Sequence, residues 1–147
     1  MIRTAKYSDK QSIVDFQVKM ARETEDLELN LILVNKGVEA VLADPAKGIY
    51  YVVENEGQVV ASLLTTYEWS DWRNGTVLWI QSVYVLPEFR GKGLYKMMYN
   101  FLKEKVAGQP DLLGLRLYVE NGNKNAQAVY TKLGMNGEHY RMFEWFR

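Results

Sequence analysis

Apolar and polar positions alternate with two different periods along this chain, and each change of period marks a new element. Ile2 to Ala5 predicts a short first strand. Asp9 is suited to cap a helix in which Ile13, Phe16, Val18 and Met20 roughly follow a helical period, continuing to about Glu25. An acidic stretch, Glu23 to Glu28, leads into an apolar patch around Leu29 to Val34. Gly37 to Ala43 predicts a second short helix, closed by Asp44-Pro45. Ile49 to Glu54 and Gln58 to Tyr67 predict two strands joined at Asn55-Glu56-Gly57, a strong hairpin signal. A polar loop, Glu68 to Gly75, carries Trp69 and Trp72, and Thr76 to Val85 predicts the next strand. Leu94 to Val106 contains no proline and predicts a helix ended by Gly108-Gln109-Pro110. In Gly114 to Glu120, Leu115, Leu117 and Val119 alternate with Arg116, Tyr118 and Glu120 as a strand would. Asn123 to Leu133 predicts a helix stopped at Gly134, and Glu138 to Phe146 a closing strand or hairpin.

The order β-α-α-β-β-β-α-β-α-β predicts an α/β fold with a mixed sheet and helices on both faces. At 147 residues the chain is expected to be one domain, residues 1–147. Composition narrows its chemistry. Basic and acidic residues balance at 18 each, so overall charge calls for neither nucleic acid nor a membrane surface. The absence of cysteine removes disulfides and thiolate chemistry, and His139 alone makes no multi-histidine metal site, so no metal is expected. No apolar run approaches the roughly 18 residues of a membrane span, and Met1 to Lys6 lacks the apolar segment of a signal peptide. The expectation is a cytoplasmic protein.

The most informative stretch runs from Val83 to Tyr95. A β-branched strand breaks at Pro87 into a basic turn, Arg90-Gly91-Lys92-Gly93, and a helix follows at Leu94. Such a junction aims several backbone N–H groups and a positive helix end at one point, which suits a phosphate-bearing ligand. It is neither a Walker A loop, since no serine or threonine follows Gly91-Lys92, nor a dinucleotide fingerprint, which needs three glycines after a first strand.

A second motif follows the next strand: Asn123-Lys124-Asn125-Ala126-Gln127-Ala128-Val129-Tyr130-Thr131-Lys132-Leu133-Gly134-Met135. Together the two segments resemble the GCN5-related N-acetyltransferase superfamily. Arg90 to Tyr95 is similar to its pyrophosphate loop, Q/R-x-x-G-x-G/A, and Asn123 to Met135 to its signature N-x-x-A-x-x-x-Y-x-x-x-G-F/M. Element order extends the likeness over nearly the whole chain. Two positions depart from the pattern. Tyr95 stands where the family has glycine or alanine; its N–H is free of its own Cβ provided the ring points outward, and a contact from its hydroxyl is the alternative. Gln81 lies where many relatives carry a glutamate that serves as general base.

The resemblance implies a mostly antiparallel sheet splayed in the middle, with acetyl-CoA as cofactor. Pantetheine would pair with the backbone of Val83 and Val85, with Tyr84 between them, and the Val83 N–H would polarise the thioester carbonyl. Arg90, Gly91, Lys92, Gly93, Leu94 and Tyr95 would hold the pyrophosphate, and Asn123 would cap its helix or touch the cofactor. Tyr130 is implied as general acid for the departing thiolate. For the base, Glu120 at a strand end and a water chain to the Glu23–Glu28 stretch are the candidates. Carboxylates at Glu25, Glu28 and Asp71, with the aromatic faces of Trp69 and Trp72, suit a small cationic amine acceptor. The implied activity is N-acetyl transfer in a ternary complex; the alternative is a CoA-binding sensor without turnover. The aromatic run Tyr140 to Phe146 serves either a homodimer interface or an internal hairpin.

Overall fold

Strands β1 (Ile2–Thr4), β2 (Ile49–Asn55), β3 (Gln58–Ser70), β4 (Gly75–Val85) and β5 (Leu112–Arg116) lie in chain order in one sheet. The first four pair antiparallel, and β5 joins β4 in parallel. The computed structural model describes residues 1–147, which fall into two units: Met1–Arg116, holding the sheet, and Leu117–Arg147. The open, mostly antiparallel sheet with its helices is the mixed α/β architecture that the element order predicts.

Alternation along the strands decides which helix each side chain meets. Tyr50, Val52 and Leu64 turn to one face, where they pack with Ile13 and Val14 of α1 (Lys10–Glu25) and Val38 of α2 (Leu31–Ala43). Tyr51 turns to the other face, where its ring meets Phe101 of α3 (Leu94–Gly108) edge-on at 5.3 Å. Met98 and Leu102 of α3 are fully buried.

Four boundaries differ from expectation, each for a local reason. Asp9 does not cap α1 with its side chain; it ends a 3-10 turn, and its carboxylate takes Arg3 at 2.8 and 3.0 Å and the Lys6 N–H at 2.7 Å. The apolar patch is the start of α2, because Asn30 accepts the Leu33 N–H at 3.2 Å and opens the helix at Leu31. The polar loop shrinks to a tight turn, since β3 runs on to Ser70, which pairs with Gly75. Finally, β5 occupies Leu112–Arg116 rather than Gly114 to Glu120, its register set by pairing from Thr76↔Leu112 to Trp79↔Arg116.

In the second unit, α4 (Lys124–Lys132) is capped by Asn123, whose side-chain oxygen accepts the Ala126 N–H at 3.1 Å. Gly134, at φ +91°, turns the chain so that the Met135 N–H reaches the Tyr130 carbonyl at 3.1 Å. The expected closing strand or hairpin at residues 138–146 is absent. Aromatic alternation suggests a strand, but a strand forms only where a neighbour takes its backbone groups. Here the Glu138 N–H goes to the Asn136 side chain, and Tyr140, Phe143, Trp145 and Phe146 are exposed. No helix of the chain is long and apolar enough to cross a membrane.

Candidate active site

The site starts from a defect in β4. Ser62 pairs with Tyr84 but Leu64 with Gln81, so two steps along β3 oppose three along β4. The extra residue makes a β-bulge, with Ser82 at φ +53°. Beyond Trp79, the last residue paired to β5, β4 continues with β3 alone. Its other edge, at residues 80–85, has no strand partner. Backbone groups there are available to an extended ligand, and the bulge re-aims them. Val83 and Val85 lie on this stretch, half-buried, while the Tyr84 side chain is buried against Phe16 at 5.2 Å between ring centroids.

β4 leads directly into the glycine loop. The Leu86 N–H is held by the Val60 carbonyl at 2.9 Å, a 3-10 turn spans Pro87–Phe89, and Arg90 is extended. Gly91 and Gly93 then take φ +73° and +78°, left-handed values that any side chain would strain, and nothing lies within 4 Å of a Cβ built on either. Gly93 begins α3, so no side chain caps it, and the first turn carries no acid. The first N–H groups of α3 lie ahead of its helical ladder, and Gly93 offers no side chain to cap them, with Lys92 and Lys96 exposed beside them. This bare, glycine-framed helix end fits a diphosphate. Two shallow clefts flank α3, one lined by residues including Phe89, Lys92 and Met97 and the other by Gly93, Lys96 and Asn100; neither is lined by a residue of β4.

Two loop residues turn polar atoms toward the protein. The Tyr95 ring does not point outward: its hydroxyl oxygen is buried. Arg90 turns back to the protein, donating from Nε to the Val85 carbonyl at 2.9 Å and from a terminal nitrogen to Glu23 Oε2 at 2.8 Å. Its guanidinium also lies 5.3 Å from the centroid of the Tyr84 ring. Glu23 Oε1 accepts the Tyr84 hydroxyl at 2.9 Å. Burial works against the charged form of Glu23, yet Arg90 and Tyr84 together hold its carboxyl below the usual range. Burial, reinforced by Glu23, pushes the Tyr84 hydroxyl up.

The acidic residues separate by their partners. Glu28 gives both oxygens to Arg22, at 2.6 and 2.9 Å, while Glu25 is exposed at the end of α1. Asp71 accepts the Trp72 N–H at the tip of the β3–β4 hairpin, where Trp69 and Trp72 are exposed. Glu68 was hidden from sequence reasoning by its assignment to a loop; the polar alternation Thr66, Glu68, Ser70 is the signal that would have found it. On β3 it receives the Trp79 indole N–H at 2.7 Å and Arg116 at 2.9 and 2.7 Å. Arg116 first and Trp79 second hold its carboxyl below the ordinary range. Gln81, on the same face, donates to Thr66.

Glu120, Asn123 and Tyr130 belong to the second unit. Glu120 is not at a strand end: it lies in the turn before α4, exposed, with Oε2 accepting the Gly122 N–H at 2.9 Å. Tyr130 is half-buried on α4.

The model of the acetyltransferase (GNAT) family matches residues 11–135. A possible acetyltransferase from Clostridium difficile 630 is similar at 44% identity, covering 100% of this chain and 97% of its own, with a TM-score of 0.94. Two more distant structures share the fold. Glucosamine-6-phosphate N-acetyltransferase from Arabidopsis thaliana is 24% identical with a TM-score of 0.74, covering 100% and 98% of the two chains. A predicted acetyltransferase with acetyl-CoA from Clostridium acetobutylicum is 18% identical with a TM-score of 0.75, covering 98% and 95%. Among curated proteins, nothing matches.

Proposed function

The chain belongs to the acetyltransferase (GNAT) family, and from that premise we propose that it moves an acetyl group from acetyl-CoA to a primary amine of a small cationic acceptor. The transfer is direct, within a ternary complex. The observation that carries this reading is the uncapped start of α3 behind two left-handed glycines, continuous with the unpaired edge of a bulged strand.

When bound, acetyl-CoA supplies the thioester that the amine attacks. The N–H groups of Gly91, Gly93, Leu94 and Tyr95, with Lys92, hold its diphosphate. The β4 edge at Val83 and Val85 pairs with its extended arm, and the Val83 N–H stabilises negative charge on the carbonyl oxygen. Tyr130 gives its phenolic proton to the departing thiolate, and Asn123 holds the start of its helix. The ammonium proton leaves for Glu120, directly or through water; one backbone bond leaves that carboxylate with lone pairs to spare. Glu68, kept ionised, serves the acceptor's charge rather than its proton, alongside Glu25, Asp71 and the indoles of Trp69 and Trp72.

The test is thiol release from acetyl-CoA across a panel of primary amines, with the product weighed by mass spectrometry. Release that requires a cationic amine and adds one acetyl group to it is the expected result. Absence of release with every amine in the panel, despite CoA binding, would favour a sensor instead.

A further inference from the structure

We propose that Glu23, on α1, is a positioning residue for the diphosphate loop, acting through Arg90. This rests on the acetyl-CoA reading of that loop. Residues 91–93 contain two glycines, and nothing lies within 4 Å of a Cβ built on either. Such a segment has many conformations to lose on binding a ligand unless something at its start fixes it.

Arg90 supplies that fixing through contacts that all face the protein. Its Nε takes the Val85 carbonyl, its terminal nitrogen takes Glu23 at 2.8 Å, and its plane lies over Tyr84. Glu23 closes the triangle by accepting the Tyr84 hydroxyl as well. One carboxylate on α1 thus ties the end of β4 to the first residue of the loop. Planar guanidinium geometry makes this a directional tie rather than a loose charge contact. The same contacts compensate the Arg90 charge, so attraction for phosphate falls to Lys92 and the helix N–H groups.

Positioning and simple electrostatics predict opposite signs. Removing the Glu23 charge near a site for a polyanion, and freeing a guanidinium, should tighten CoA binding if charge alone decides. If Glu23 positions the loop, the same change weakens it.

Isothermal calorimetry with CoA separates the two in Glu23→Gln, Arg90→Gln and the double variant, each checked by thermal unfolding. Both sites are about half-exposed, so the folded chain is retained. The expected result is about tenfold weaker CoA binding in each single variant, from the loss of one charge-assisted tie. The double variant should be no weaker than either single one, because both break the same link. Glu23→Gln binding CoA as tightly as the wild type or more so, or about hundredfold loss in the double variant, would overturn the proposal. A wild-type chain that binds no CoA would instead remove the acetyl-CoA reading on which it rests.

Discussion

Asp9 shows how a single side chain is read one way from its neighbours in sequence and another way in the fold. Ahead of an apolar period it looks like a helix cap. In three dimensions its carboxylate is buried and held by Arg3, which also reaches Glu54 across the β1–β2 pair. Arg3 first, and the Lys6 N–H after it, hold Asp9 well below the ordinary carboxylate range against the opposing effect of burial. Asp9→Asn should cost about 2 kcal/mol at neutral pH in urea unfolding, as expected for hydrogen bonds to a charged group. The pH dependence has a definite sign. The folded pKa is depressed, so this stability is present above the unfolded value of roughly 3.9 and is lost as pH falls through the lower folded one. The gap between wild type and Asp9→Asn should therefore close in acid. Tyr95 is the second case: its place in the motif was legible, but the direction of its ring was not, because rotamer choice depends on what packs around it.

At the scale of elements, glycines and caps decide boundaries more firmly than apolar period does. The expected start of α2 is Gly37, past the apolar patch, whereas the helix opens at Leu31 because Asn30 takes the Leu33 N–H. Asn30→Ala should lower stability by about 1 kcal/mol in a denaturant titration. Gly93 is a stronger test, since one substitution has two readouts. Its φ of +78° makes a Cβ strained even in open space, so Gly93→Ala should lose about 1 kcal/mol of stability. Its added methyl also stands at the uncapped end of α3, and CoA affinity should fall several-fold more than the stability change explains. Equal stability with unchanged CoA affinity would mean that the diphosphate lies elsewhere. Strand ends were the least legible feature. Period-2 alternation continues through Glu68 and Ser70, but tryptophan and acid there read as a loop until pairing with β4 is seen.

Across the whole molecule, stability and activity should separate between the two units. Leu102 is fully buried on α3, and Leu102→Ala should cost roughly 3 kcal/mol through lost burial and a residual cavity, seen as a lower Tm. Tyr130→Phe on α4 should leave Tm and CoA binding nearly intact and lower kcat about a hundredfold, as expected for removing a general acid. Turnover unchanged in that variant would return the phenol to a packing role. The sequence by itself determined the order of strands and helices as far as α4, the glycine loop before α3 and the family. Those properties depend on local period, on turn residues and on the conformations glycine alone takes readily, all of which are written within short stretches of chain. Only the tertiary structure decided that Arg90 faces Glu23, that Glu68 sits on a strand between Trp79 and Arg116, and that β4 carries a bulge where β5 has left it. Partners separated by 67, 48 and 11 residues are chosen by packing and register, and no local pattern encodes them.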